Sequence, residues 1–183
     1  MTSPRARMVA EAADLIARNG VAATSIGDVL KAAEAPRGSV YHHFPGGRSE
    51  VLAEAVLLAS ENIDEGLSEA AHSSPAYLVA DIAAMWRRTL TESDFTAGST
   101  VSAAARARGT DPGIADIAAR AYTRWEEMLA ASLRSTGADA QRARSLAVTI
   151  LAAVDGAVTL CRAHRSLEPL DLVAEQIASL LEP

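Results

Sequence analysis

Residues 25–47, SIGDVLKAAEAPRGSVYHHFPGG, decide how the rest of the chain is read. Ile26, Val29 and Leu30 recur at helical spacing, and Ala32-Ala33 adds small packing residues. Glu34-Ala35-Pro36 interrupts that pattern, and a second short helix is predicted over 38–44 before Pro45-Gly46-Gly47 ends it. Ser25 is placed to cap the first helix, with Asp28 three residues on making a capping-box-like start. Pro36 carries the fixed φ that suits a first helical turn. Two short helices joined by a tight turn are the helix-turn-helix pattern, whose second helix can enter a DNA major groove. Here it bears Arg37, Ser39, Tyr41, His42 and His43, all donors to phosphate oxygens or base edges. Gly38 and Ser39 are small enough to let the backbone approach a groove closely. An ordinary surface helical corner can carry the same pattern, so patterning alone leaves both readings open.

Working outward, Ser3 and Pro4 open a helix that runs to Asn19-Gly20, with Met8, Val9, Ala12, Leu15 and Ile16 as its apolar stripe. Packed over the two short helices, it makes a three-helix head. Arg5 and Arg7 can reach flanking phosphates or stay solvated. Downstream, Arg48 stands just before a helix predicted over 49–71, which is apolar on more than one face and so suits a link between head and body. A loop at 72–75 leads to a helix over 75–92, with Leu78, Ile82, Met85, Trp86 and Leu90 on one stripe. After a break at 93–98 come a short helix over 100–108 and a long one over 114–135. Asp139 caps a helix running to about Arg162, and Pro169 opens the last. Alanine dominates, aromatic residues are only 4%, and no segment alternates with strand periodicity. The expectation is an all-α chain of about nine helices. Residues 1–47 form the helix-turn-helix head, and 48–183 a larger helical body.

The net charge of −6 argues against polyanion binding over the whole surface. Residues 1–50 hold six basic against five acidic side chains, so the acidity lies in the body and the head is free to meet DNA. The lone Cys161 excludes an intramolecular disulfide and sits in an apolar run, where a buried structural thiol and a redox sensor are the two readings. No signal peptide is visible, the most apolar run (146–161) is too short to span a bilayer, and the chain is expected to be cytoplasmic with no membrane partner. That run is apolar nearly all round, broken by Thr149, Asp155, Gly156 and Thr159. A helix apolar on all sides must be covered on all sides, which points to a homodimer built from the last two helices. Ile150, Val154, Asp155 and Val158 are its candidates on one helix, Val173 and Ile177 on the other.

The segment RGSVYHHFPGG, preceded by about thirty residues of helix and a Thr24-Ser25 start, closely resembles the amino-terminal domain of TetR/AcrR-type transcriptional regulators. The match covers roughly Arg5 to Ala55 and rests on the Gly-small-apolar-Tyr-x-His-Phe signature. The resemblance implies that Ser25, Tyr41 and His42 hold phosphates. It also implies that Arg37 and Ser39 face base edges or the adjacent backbone, and that Arg48 stands where a phosphate-binding lysine is common. It further implies that the linking helix carries ligand binding to the head, and that the last two long helices dimerise. Two positions depart from the pattern. Glu34 replaces the usual turn glycine, calling for a left-handed conformation at roughly 1 kcal/mol, and Pro36 replaces a capping serine or threonine. The residues around Ser99 to Arg108 are faintly similar to the drug-efflux branch linked to lincomycin resistance.

For a small-molecule effector, Met85, Trp86, Tyr122, Trp125 and Met128 lie on helices placed to surround an apolar cavity, with Thr159 as an orienting group. A plain aromatic core explains the same stripe. Catalysis has little support: His42 and His43 diverge by about 100° on a helix and cannot chelate one metal, and no nucleophile elbow, P-loop or dinucleotide fingerprint occurs. No cofactor, metal or enzyme activity is expected. The reading is a ligand-responsive transcriptional regulator, a repressor that binds a palindromic double-stranded operator as a dimer and is released by a small apolar or aromatic molecule. The alternative is a small-molecule-binding or protein-interaction dimer with a weakened DNA head.

Overall fold

The computed structural model describes residues 3–70 and 75–181. In order these form α1 (Pro4–Asn19), α2 (Ile26–Ala32), α3 (Ser39–His43), α4 (Gly47–Ala70), α5 (Pro75–Glu92) and α6 (Thr100–Ala105). A 3-10 turn at Arg106–Gly109 leads to α7 (Pro112–Ser135), α8 (Ala140–His164) and α9 (Glu168–Leu181). No strand occurs among the described residues, and the all-α expectation holds. The loop expected at 72–75 falls outside the described residues, except for Pro75, which opens α5. The chain forms two compact units, Met1–Asn62 with Ser99–Ala121, and Ile63–Gly98 with Tyr122–Pro183. α4 and α7 each begin in the first unit and end in the second.

In the first unit, Ser3 accepts from the Ala6 N–H to cap α1, and Gly20, at φ 83°, closes it by donating to the Ile16 carbonyl. Met8, Val9, Ala12 and Ile16 are buried along one stripe. α2 ends in a Schellman motif: Ala35 N–H reaches the Leu30 carbonyl at 2.9 Å and Glu34 N–H the Lys31 carbonyl at 3.3 Å. The left-handed residue such an end requires is Glu34, at φ 50°, the strained position anticipated from its replacement of glycine. α3 starts later than expected, because Arg37-Gly38 is spent on a turn. The Ser39 N–H and hydroxyl both donate to the Pro36 carbonyl, at 2.9 and 2.7 Å. Val40 and Phe44, one helical turn apart, are fully buried, which for Phe44 is worth about 2–3 kcal/mol of transfer free energy. The Thr100 hydroxyl donates to the Ala13 carbonyl at 3.0 Å and ties α6 to α1.

In the second unit, α9 packs against both α5 and α8. α5 ends on two left-handed residues, Asp94 (φ 52°) and Phe95 (φ 59°), with the Phe95 N–H on the Leu90 carbonyl at 2.7 Å. Arg165, itself left-handed at the end of α8, holds this corner: one guanidinium nitrogen lies 2.8 Å from both Asp94 carboxylate oxygens. Arg162 donates to the Thr96 carbonyl and passes so close to Gly98 that a Cβ there would stand 2.7 Å from its guanidinium. Only glycine fits.

α8 corrects one expectation. It is one 25-residue helix, long and apolar enough by length and composition to cross a membrane, so the run at 146–161 is not limited by shortness. Its inward stripe is Ala143, Ala147, Ile150, Val154, Ala157, Val158 and Cys161. Ile150, Val154 and Val158, together with Ile177 of α9, are buried within the chain itself. The outward stripe lies about 200° round the helix, at Val148, Ala152, Gly156 and Leu160, with Leu172 and Leu180 exposed on α9. Val173 is half-buried.

Candidate nucleic-acid interface and body site

α3 is five residues long, so burying Val40 and Phe44 on one side leaves little choice for the other. Tyr41 is 70% exposed, His42, Arg37 and Gly38 are exposed, and Ser39 is half-buried. The Tyr41 ring lies beside Gly47, where a Cβ would meet Cε1 at 3.7 Å. His43 is half-buried and meets His42 edge-on, with ring centroids 5.0 Å apart. Ser25 is exposed and caps α2: its Oγ accepts the Asp28 N–H at 3.2 Å and its hydroxyl donates to the Asp28 carboxylate at 2.6 Å. A phosphate at Ser25 must therefore compete with the Asp28 carboxylate for one proton. The face so formed offers guanidinium, imidazole, phenol and hydroxyl donors beside bare glycine backbone, the set that grips phosphates and reaches base edges.

Two arginines have other work. Arg48, in the first turn of α4 rather than before it, donates from Nε to the Thr24 carbonyl at 2.9 Å and from Nη2 to the Val21 carbonyl at 2.6 Å. Its Nη1 faces the Asp111 carboxylate at 3.6 Å. These three partners engage all three guanidinium nitrogens, although the side chain stays about one-third exposed. Arg5 pairs with Glu54 of α4 and lies over the Phe44 ring, 4.8 Å from its centroid.

In the second unit the aromatic candidates join a polar network. Tyr122 and Trp125 meet edge-to-face at 5.2 Å. The Trp125 indole donates to Asp64 Oδ1 at 2.6 Å, Arg124 donates to Asp64 Oδ2 at 2.8 Å, and the Tyr122 hydroxyl reaches Asp155 at 3.0 Å. Asp155 is therefore anchored within its own unit. Trp86 and Trp125 are buried, and Met85 and Met128 half-buried. Thr159 is exposed on the outer side of α8, where its hydroxyl donates to the Asp155 carbonyl, so it does not join the aromatic residues. Asp64 was missed from the sequence, although it stands one turn from Ser60 and Leu67, both buried, and an acid at such a position signals a partner. Among the described residues no group of three or more His, Cys, Asp or Glu is placed to hold a metal. Cys161 is buried, and burial pushes its thiol pKa up, which makes it unreactive.

Comparison with known proteins shows the family. The model for the amino-terminal domain of bacterial regulatory proteins of the tetR family matches residues 9–55. That for the transcriptional regulator LmrA/YxaF-like C-terminal domain matches 75–176. The chain is 39% identical to the HTH-type transcriptional regulator Rv0196 of Mycobacterium tuberculosis, over 99% of this chain and 95% of that protein. With the HTH-type transcriptional regulator LmrA of Bacillus subtilis it shares 25% identity, over 97% and 96% of the two chains. Among solved structures, a TetR transcriptional regulator from Legionella pneumophila superposes with a TM-score of 0.90 at 21% identity, covering 100% of this chain and 99% of that one. One from Rhodobacter sphaeroides gives 0.85 at 17%, covering 97% and 98%. With this match along its whole length, over a head that buries Val40 and Phe44 and presents Tyr41 and His42, the chain belongs to the TetR family of DNA-binding transcriptional regulators.

Proposed function

We propose that the protein is a homodimeric repressor that grips a palindromic operator through two α3 helices and is released by a small apolar or aromatic molecule bound in the body. The observation that carries the DNA reading is the division of α3 and its two capping residues into a buried side, Val40 and Phe44, and a solvent side bearing Tyr41, His42 and Gly38. Arg37 and Ser39 enter the same surface, with Tyr41, His42 and Ser25 on phosphates and Arg37 and Ser39 on base edges or the adjacent backbone. Arg48 leaves the set of DNA contacts. The head is the functional domain at 1–47, and the remainder houses effector and dimer contacts.

For the dimer, the supporting feature is the exposed stripe Val148, Ala152, Gly156 and Leu160, continued by Leu172 and Leu180. Small residues at its centre allow two α8 helices to approach closely, and the hydrophobic surface favours burial against a second copy. The inner side of α8 is taken by its own unit, which favours a cytoplasmic dimer over a membrane span. For the effector, Trp86, Tyr122 and Trp125 with Met85 and Met128 supply apolar walls, while Asp64 and Asp155 orient donors. A ligand acts only to the extent that it binds two arrangements of the chain differently. Selection of duplexes from a random pool tests the reading. The expected product is a twofold-symmetric site with half-sites about one helical turn, or a multiple, apart; an asymmetric site bound by a single chain contradicts it.

A further inference from the structure

We propose that Arg48 and Asp111 form a positioning clasp that sets the orientation of the DNA-reading helices without touching DNA; this rests on the repressor reading above. One guanidinium ties three segments of the first unit. Its Nε and Nη2 hold the carbonyls of Thr24 and Val21 at 2.9 and 2.6 Å, in the loop that ends at Ser25, the cap of α2. Its Nη1 faces Asp111, the residue before α7, at 3.6 Å. Thr24 is buried and its hydroxyl is bonded back to the Gly20 carbonyl at 2.9 Å, so the loop is held from both sides. Arginine suits the task because its planar fork donates in several fixed directions at once, whereas lysine is a point charge on a flexible stem. Both clasped helices, α4 and α7, continue into the second unit, where Asp64 of α4 again takes hydrogen bonds from Arg124 and Trp125 of α7.

The clasp and a phosphate contact predict opposite behaviour. If Arg48 met a phosphate, Arg48→Lys would keep the charge and most of the affinity, and Asp111→Asn, which removes a negative charge, would strengthen binding. As a clasp, both substitutions weaken binding to a duplex selected by the wild-type chain by about five- to tenfold, the lower end of coupling between sites. In Arg48→Gln, which removes the cation, the slope of log affinity against log salt stays unchanged, because no phosphate contact is lost. The two losses are not additive in the double variant. Wild-type affinity in Arg48→Lys, tighter binding by Asp111→Asn, or a slope reduced by about one would overturn the proposal. Hydrogen exchange on the full chain without DNA gives an independent reading. Asp111→Asn speeds exchange of the Val29 amide of α2 and of the Ala33 amide that caps it about fivefold, while the Cys161 amide in α8 is unaffected. Unchanged α2 exchange also overturns the clasp. If the wild type selects no duplex at all, the repressor reading fails, and the exchange experiment still decides the clasp.

Discussion

Replacing Gly156 with arginine puts a charge at the centre of the outward α8 stripe without disturbing the helix that carries it. A Cβ at Gly156 meets nothing within 4 Å, and exchanging glycine for arginine inside a helix gains roughly 0.8 kcal/mol of propensity. The folded chain should therefore be no less stable. Assembly is another matter. Val148, Leu160, Leu172 and Leu180 are 44, 48, 56 and 53% exposed, so each has about 1 kcal/mol of burial left to gain, and a twofold counts each one twice. That total of about 8 kcal/mol is comparable to the estimated 4–15 kcal/mol lost on association, so the dimer has little to spare. An uncompensated guanidinium in the interface costs about 4 kcal/mol, enough to raise the dimer Kd about a thousandfold. Sedimentation velocity at micromolar concentration should show Gly156→Arg as a monomer with an unchanged melting temperature. Asp155→Asn should stay dimeric, because Asp155 bonds Tyr122 within its own unit. A wild-type sedimentation profile for Gly156→Arg would refute the α8 assignment.

Tyr41→Ala should weaken binding to specific and non-specific duplexes alike, by about tenfold, in fluorescence-anisotropy titrations; an unchanged affinity removes the phosphate role. Glu34→Gly relieves about 1 kcal/mol of left-handed strain but returns about 0.4–1 kcal/mol of unfolded-state entropy, so the melting temperature should move by less than about 3 °C. With one negative charge gone from the turn, its DNA affinity should rise about two- to fivefold; a lower affinity contradicts the repulsion assigned to Glu34. Cys161 titrates above its ordinary 9.0 in the folded chain because it is buried. Below that pH the thiol is neutral whether folded or unfolded. Above it only the unfolded chain ionises readily, so stability falls as the pH climbs past 9.0 towards the raised folded value. Cys161→Ala should lose less melting temperature than the wild type between about pH 8 and 10; equal losses mean that the thiol is not buried on folding.

Most of the fold was legible because the chain punctuates itself. Ser3-Pro4, Gly20, Pro45, Pro112 and Gly137 stand at or beside helix ends that the structure bears out, each through a backbone preference that acts locally. Glu34 was legible for the same reason: a helix end that needs a left-handed residue is unforgiving of side chains. What stayed hidden depends on distance along the chain. The Val21, Thr24 and Asp111 partners of Arg48 lie at separations that no local pattern encodes. Asp64 was overlooked because the indole that binds it is 61 residues away. On α8 the difficulty was symmetry. With apolar residues nearly all round, no polar marker distinguishes the inward stripe from the outward one, so the burial of Ile150, Val154 and Val158 within the chain was not legible. Thr159, taken as a ligand group, sits on the outer side for the same reason.

The central claim, that this head reads operator DNA through α3, is tested most directly by titrating the protein against a duplex from the region upstream of its own gene at several salt concentrations. The account predicts a shift at nanomolar to micromolar protein, with log affinity falling linearly against log salt at a slope equivalent to about four to eight phosphate contacts. No shift in that range, or one indifferent to salt, would contradict it.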